Sequence, residues 1–447
     1  MSQDKLREDS LNYHQLPTPG KLGTALTKSC KTQQELSLAY TPGVAVPCEE
    51  IHAHPEKVYD YTAKGNTVAV VSDGTAVLGL GRIGPAAAMP VMEGKAVLFK
   101  TFADVDAVPI CCKDVYDNNG RTVPERLIQL TAALEPTFGG INLEDIGAPA
   151  CFEIESKLKS QMGIPVFHDD QHGTAIISLA GVLNALKIAG KKISETRLVV
   201  NGAGAAGIAC TEFYIAAGLR RENVIMCDSR GTVYKGRDKG MTPEKEKMAA
   251  NTDARTLAEA MEGADIFVGL SIGNCVTKEM VASMADNPIV FAMANPVPEI
   301  YPGDAVEAGA AVVGTGRTDF PNQVNNVLGF PGIFRGALDV RASDINEAMK
   351  VAASKALAEI VEEPVPAELR EYLAAAYPQD AADGMFEGDS PLKSTYVIPK
   401  PFDPRVVPRV ARRVAEAAMR TGVNRKIVED LDAYEDEVRN RTRPELS

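Results

Sequence analysis

Beyond about residue 174 the chain settles into a regular rhythm of apolar and polar positions. A helical pattern runs through Leu179–Ile188, a strand-length apolar run covers Arg197–Asn201, a helical pattern opens at Ala205, and a second apolar run covers Asn223–Asp228. Runs of the same kind recur at Ala264–Leu270, Pro288–Met293 and Ala310–Gly314, separated by helical or turn segments. Repeated strand–helix units of this kind imply parallel pairing, and five or six of them predict a doubly wound, Rossmann-like sheet. Upstream, apolar runs at Val68–Val71 and Ala96–Phe99 are broken by many Gly and Pro residues, which reads as an α+β lobe.

Past the repeats, Ser343–Val361 has the apolar spacing of an amphipathic helix, with Ser343 placed to cap it. Seven prolines between Pro364 and Pro404 then break periodicity until a basic helix around Arg409–Arg420. The expected organisation is an α/β chain of three parts. Residues 1–172 form an N-terminal catalytic and metal-binding α+β lobe, 173–362 a Rossmann-like nucleotide lobe, and 363–447 a helical C-terminal extension that wraps the body or reaches across a dimer.

Composition changes this picture little. The 447 residues exceed one compact core, and 45% hydrophobic with 24% charged residues is ordinary for a globular chain. A net charge of −13 with no long Lys/Arg stripe opposes a nucleic-acid backbone, so no nucleic-acid partner is expected. The N-terminus MSQDKLREDS lacks an apolar leader core, and no stretch of about 18 uncharged apolar residues could span a bilayer. A cytoplasmic protein with no membrane partner is the expectation. Its eight cysteines show no C-x-x-C spacing and are expected as reduced, buried thiols.

Candidate chemistry sharpens the reading. Gly202-Ala203-Gly204-Ala205-Ala206-Gly207 follows Leu198-Val199-Val200 directly and leads into a helical pattern, the context that turns a glycine cluster into a dinucleotide fingerprint. Gly202 permits the turn, Gly204 lets backbone N–H groups approach the pyrophosphate, and Gly207 allows close packing of helix on strand. Asp228, ending the next strand, suits the ribose hydroxyls of NAD, whereas Ser229 and Arg230 beside it suit the 2′-phosphate of NADP. Both cofactors stay open.

Two acidic pairs precede the fingerprint: Glu144-Asp145 in NLEDIG and Asp169-Asp170 in FHDDQHGTA. Hard carboxylate oxygens from separate segments are what Mg²⁺ or Mn²⁺ requires. Adjacent side chains of an extended segment point to opposite faces, so Glu144 and Asp145 could both ligate only from a bend, which nearby glycines make plausible. Asp170 is the expected third ligand, and Asp169 is expected to cap a helix beginning near Gly173. His168 and His172 are spaced for a zinc site, but the glycine and flanking acids favour buried or capping histidines. Lys95, opening an apolar stretch, has the setting for a lowered pKa and a role as base. Tyr40 lies beside a Thr-Pro-Gly turn, and Asn295 and Asn326 follow strand ends of the nucleotide lobe, where open α/β sheets bind ligands.

Taken together, the segments LAYTPGVA, SDGTAVLGLG, MEGKAVLF, INLEDIGAP, FHDDQHGTA, NGAGAAG, ANPVPEI and NQVNNVLGFPGIF, spread from Leu36 to Gly336, resemble the malic enzymes, in particular the short bacterial form without a fused phosphotransacetylase-like domain. The resemblance implies NAD(P)- and metal-dependent oxidative decarboxylation of malate to pyruvate and CO₂ through oxaloacetate and enolpyruvate. By the same resemblance Lys95 is the general base, Tyr40 protonates the enolpyruvate carbon, and Glu144, Asp145 and Asp170 hold the ion. Asn295 and Asn326 hold substrate oxygens, and a homodimer is expected. One position departs from the larger eukaryotic relatives: Ala76 stands where an arginine grips the substrate carboxylate, leaving Arg82, Lys95 or the metal to take over that contact. A malolactic-type conversion of malate to lactate, a metal-assisted dehydrogenase for another 2-hydroxy acid, and a dinucleotide-sensing protein without catalysis are the competing readings.

Overall fold

The computed structural model describes residues 3–77 and 80–442, so Leu78 and Gly79 of the SDGTAVLGLG segment lie outside it. Two sheets carry the fold. The first contains β1 (Thr67–Ser72), β2 (Asp106–Cys111), β3 (Gly140–Leu143) and β4 (Val166–His168) in the order β2-β1-β3-β4. All three pairings are parallel, so the lobe read as α+β from its broken pattern is itself built of strand–crossover–strand units. Its strands are short, three to six residues, which is why their periodicity is hard to see in the sequence.

The second sheet contains β5 (Leu198–Asn201), β6 (Val224–Asp228), β7 (Gly231–Thr232), β8 (Ile266–Gly269), β9 (Ile289–Ala292) and β10 (Val312–Thr315) in the order β10-β9-β8-β5-β6-β7. In this sheet the β6–β7 pairing alone is antiparallel. The expected strands therefore form, and the order reverses between β5 and β8, the point where an open α/β sheet binds ligand.

The helices that position the site and enclose the core are α1 (Pro85–Ala103), α2 (Ala150–Gln161), α3 (Asp169–Ala189), α4 (Ala205–Ala216), α5 (Phe330–Asp339), α6 (Glu347–Glu362), α7 (Val406–Thr421) and α8 (Leu431–Thr442). The apolar run Ala96–Phe99 is helical, within α1. By length and composition α3 could cross a membrane, with a hydropathy of 1.3 over its most apolar window, yet 67% of that window is buried inside the protein. It is a core helix joining the two sheets: Ile176, Ile177, Leu179, Ala180 and Val182 pack in one continuous cluster with Phe99, Val200, Phe291 and Phe334.

One expectation about the C-terminal third needs correction. The helix capped in expectation by Ser343 begins at Glu347, and Asn346 caps it by accepting from the Met349 N–H at 3.1 Å. Ser343 instead donates its N–H to the Val423 carbonyl. The basic helix α7 packs on the body, where Val407, Val410, Ala411 and Val414 are buried against α5 and α6. Gly332 and Gly336 of α5 let α7 approach so closely that a Cβ at 336 would stand 2.4 Å from the Ala411 carbonyl oxygen. The basic residues occupy the opposite face, where Arg409, Arg412 and Arg413 pair with Glu359, Glu363 and Glu435. All eight cysteines are unpaired, as expected, but Cys30 and Cys48 are exposed and Cys111 and Cys275 only half-buried.

Candidate active site

Parallel register brings the two acidic pairs together. Val71 stands beside Leu143, and Leu143 beside His168, so the chain leaves β1, β3 and β4 along one edge of the sheet. Glu144 donates its N–H to the Val71 carbonyl at 2.9 Å, and Asp145 then takes φ +57°, a left-handed kink. That kink is the bend two neighbouring carboxylates need to converge. Asp145 also donates its N–H to Asp170 Oδ2 at 2.7 Å. One oxygen from each of Glu144, Asp145 and Asp170 lies within 4.8 Å of the others, the one such cluster among the described residues.

The donor set is all oxygen, and two of the three carboxylates are buried. Burial together with the neighbouring Asp170 and Asp169 charges pushes the Glu144 carboxyl well above its usual range, against the pull of Lys95. Buried acids crowded in this way are short of positive charge, so the residues fit a hard divalent cation such as Mg²⁺ or Mn²⁺. Asn142 orients Glu144 by donating to Oε2 at 2.9 Å.

Lys95 reaches this cluster from α1. Its Nζ is 2.7 Å from Asp169 Oδ2, 2.9 Å from Glu144 Oε1 and 4.3 Å from the centre of the Phe330 ring. The expectation of a lowered pKa is reversed. Burial does work against the ammonium, but Asp169 and Glu144 outweigh it and hold the group above the usual lysine value. Asp169 likewise is no helix cap, because α3 starts at Asp169 itself and its carboxyl is fully buried against Lys95. Asn326 donates to Asp169 Oδ2 at 3.3 Å, which joins the nucleotide lobe to the acidic cluster. A Cβ at Gly173 would lie 2.5 Å from Asp169 Oδ1 and 2.6 Å from the Asn326 side chain, so this contact requires glycine there.

The other expected residues are more scattered. His172 turns to Glu155 at 2.8 Å and to the Lys350 Nζ at 3.2 Å, and His168 is buried at the end of β4, so the histidines are structural. Tyr40 ends the Gln33–Ala39 helix and is 70% exposed. Arg82 donates to the Asn119 carbonyl and lines a cleft with Arg121, Thr75 and the Gly147–Pro149 loop. Asn295 is exposed past β9, and its side chain lies against Gly316 rather than against Lys95 or Asp169.

The fingerprint loop lies at the switch point. Gly202 has φ +132°, and a Cβ at Gly207 would fall 1.7 Å from the Gly202 carbonyl oxygen, while Gly204 faces open space. Asn201–Gly204, Asp228–Gly231, Lys245, Arg255 and Leu270–Ile272 line one cleft of about 660 Å³. The Asp228 carboxylate is bonded within the protein. Its Oδ1 accepts from the Arg230 N–H at 2.9 Å and from Arg237 Nη2 at 2.8 Å, and its Oδ2 from Arg237 Nη2 at 2.8 Å and Lys245 Nζ at 2.7 Å. Burial tends to raise its pKa, but Lys245, the Arg230 N–H and Arg237 together hold it below the usual carboxylate range. Arg237 and Lys245 had no signal in the motif; they come from a turn and a short helix beyond β7.

The family models for the malic enzyme N-terminal domain and the malic enzyme NAD-binding domain match residues 19–159 and 171–374. The chain belongs to the malic enzyme family. It is 54% identical to the bifunctional malic/malolactic enzyme of Bacillus subtilis, over 96% of this chain and 97% of that one. It is 53% identical to the NADP-dependent malic enzyme of Rhizobium meliloti over 98% of this chain but 55% of that one, so it spans about half the length of several relatives it matches. The crystal structure of the Pyrococcus horikoshii malic enzyme superposes with a TM-score of 0.86 at 44% identity, covering 98% of this chain and 96% of that one. The acidic cluster and Lys95 fall at the join between the two malic enzyme domains, reached by Asn326 from the second.

Proposed function

We propose that the protein oxidises and decarboxylates (S)-malate to pyruvate and CO₂ with reduction of NADP, in a reaction that needs Mg²⁺ or Mn²⁺. The observation that carries this reading is the convergence of Lys95 Nζ, 2.9 Å from Glu144, with the Glu144–Asp145–Asp170 cluster. A divalent ion held by those three carboxylates would polarise the 2-oxo group of the bound oxidation product, so that loss of the β-carboxylate leaves a stabilised enolate. Lys95, held as an ammonium by its two carboxylates, first passes a proton from Nζ to Asp169 Oδ2, 2.7 Å away, and the neutral amine then takes the malate C2 hydroxyl proton as hydride passes to the nicotinamide. Asn326, already bonded to Asp169, and Asn295 orient the substrate carboxylates, with Arg82 the candidate for the distal one.

NADP is favoured over NAD because all four acceptor positions of Asp228 are taken, leaving none for ribose hydroxyls. Lys245, Ser229 and Arg230 line the same cleft and suit a 2′-phosphate. Tyr40 is the proton donor to the enolpyruvate carbon. It lies in a stretch, residues 4–63, that contains no buried residue, and Leu36, Leu38, Val44 and Val46 are exposed around it. A second copy of the chain covers that surface in a homodimer and closes Tyr40 on the site.

The test is absorbance of reduced nicotinamide on adding L-malate and Mn²⁺, with NAD and NADP in parallel and with a chelator as control. A chelator-sensitive rise, faster with NADP, is the expected result; no rise with either cofactor would overturn the reading. The name of the Bacillus subtilis relative supports a second activity, malate to lactate with the reduced cofactor retained. Lactate formed without net reduced cofactor would show it. Light scattering checks the dimer, and a monomer at micromolar concentration would remove it.

A further inference from the structure

Past the C-terminal end of β1, Asp73 is fully buried, and hydroxyl and backbone N–H groups, rather than a lysine or arginine, satisfy its carboxylate. Its Oδ1 accepts from the Thr75 N–H at 3.1 Å and the Thr75 hydroxyl at 2.7 Å, and its Oδ2 accepts from the Thr122 hydroxyl. Tyr116 donates its phenol O–H to the Asp73 carbonyl. One residue therefore clamps the 116–122 loop on one side and the turn after β1 on the other.

The Thr75 hydroxyl has one proton, and Asp73 takes it. Its oxygen is then oriented to accept, and it does so from the Gly147 N–H at 2.8 Å. Next to it, Ala76 donates its N–H to the carbonyl of Asp145 at 3.0 Å. The turn Asp73–Ala76 is thus bonded at two points to the segment Asp145–Gly147. That segment contains the left-handed Asp145, a backbone conformation uncommon outside glycine, asparagine and aspartate, and the two bonds flank it.

We propose that Asp73 and Thr75 are positioning residues for the metal centre: the Asp73–Thr75–Gly147 hydrogen-bond relay holds Asp145 in the kink that lets it ligate beside Glu144. The inference rests on reading Glu144, Asp145 and Asp170 as the metal site. Thr75 lines the cleft that holds Arg82, but neither Asp73 nor Thr75 is bonded to Arg82, Lys95 or Asp169, the groups placed around the substrate. Its loss therefore weakens the binding of the ion and leaves the chemistry of the loaded site largely intact.

The experiment is Mn²⁺ binding to full-length wild type, Thr75→Val and Thr75→Ser, read from the free-Mn²⁺ electron paramagnetic resonance signal, with malate oxidation measured across Mn²⁺ concentration. Valine keeps the shape and removes the hydroxyl; serine keeps the hydroxyl. Outer-shell partners of metal ligands are typically worth about 10–100-fold in affinity, so Thr75→Val should raise the Mn²⁺ dissociation constant and the apparent KM for Mn²⁺ by that range. Thr75→Ser should stay within about threefold, and kcat at saturating Mn²⁺ within about threefold for both, on the same outer-shell argument. Thr75→Ala carries the same expectation should the valine variant not fold, with melting of the metal-free proteins as the check. Wild type that binds Mn²⁺ beside a Thr75→Val that binds equally well overturns the relay alone, as does equal loss in the serine and valine variants. Wild type that binds no Mn²⁺ overturns the metal reading and the relay with it.

Discussion

Lys245→Ala separates the two cofactors. In the structure the Lys245 ammonium is 2.7 Å from Asp228 Oδ2, at the wall of the dinucleotide cleft, with 18% of its side chain exposed. A charge-assisted hydrogen bond to a phosphate oxygen contributes about 1.5–3 kcal/mol, and partial exposure argues for the lower end. At about 1.4 kcal/mol per tenfold change, the loss in kcat/KM for NADP is about 10–30-fold. Arg237 stays bonded to both oxygens of Asp228, so the carboxylate keeps a counter-charge, and one acceptor position opens toward a ribose hydroxyl.

NAD turnover should therefore hold within about threefold or improve, because the Asp228 carboxylate then offers one charge-assisted hydrogen bond to a ribose hydroxyl, about 1.5–3 kcal/mol set against the lost Lys245 contact. The assay is initial-rate kinetics with each cofactor at saturating malate and Mn²⁺, reported as the ratio of the two kcat/KM values. An equal fall with both cofactors would mean that Lys245 supports the fold of the cleft. An unchanged NADP value would refute the assignment of the 2′-phosphate to this wall.

Three further outcomes are expected from buried contacts. Lys95→Ala leaves Glu144 and Asp169 without their counter-charge, so the metal-free protein should lose about 3–5 kcal/mol, as buried pairs do when one partner is removed. Added Mn²⁺ should restore part of that in thermal melts, while malate oxidation falls by about 10²–10⁴-fold. Glu155, packed against His172, is held at about 2 against a reference of 4.5; its pKa is depressed, so its contribution is full above pH 4.5 and is lost as pH falls toward 2. Burial opposes this shift, and the paired His172 charge outweighs it. Glu155→Gln should flatten the acid limb of a stability–pH curve measured by urea unfolding, by on the order of 3 kcal/mol between those limits. Gly336→Ala drives a methyl to within 2.4 Å of the Ala411 carbonyl oxygen and should cost about 1–3 kcal/mol by the same measurement, whereas a detachable tail would show no change.

What was legible in the sequence shares one property: its cause is local. The strand before Gly202, the turn at Gly202 and the helix after it lie within a few residues, so the fingerprint could be read with its structural context. Asp169 shows the opposite case. Nothing in DDQHGT distinguishes an acid that caps a helix from one that begins it, because the choice depends on Lys95, which is 74 residues away and faces it only after β1, β3 and β4 have paired. The same distance explains the error over Lys95: burial was inferable from its apolar neighbours, but the two carboxylates that reverse the effect of burial were not.

Asp228 extends the point from charge to specificity. As a carboxylate at the end of β6 it has the sequence mark of an NAD enzyme, yet its oxygens are bonded to Arg237 and Lys245, which arrive through β7 and the helix Pro243–Met248. An acidic residue at this position specifies ribose hydroxyls only while its lone pairs are free. Cofactor choice in such a cleft is then decided by the residues that occupy the carboxylate, so substitution of Arg237 or Lys245 should alter it more than substitution of any residue in the glycine loop itself.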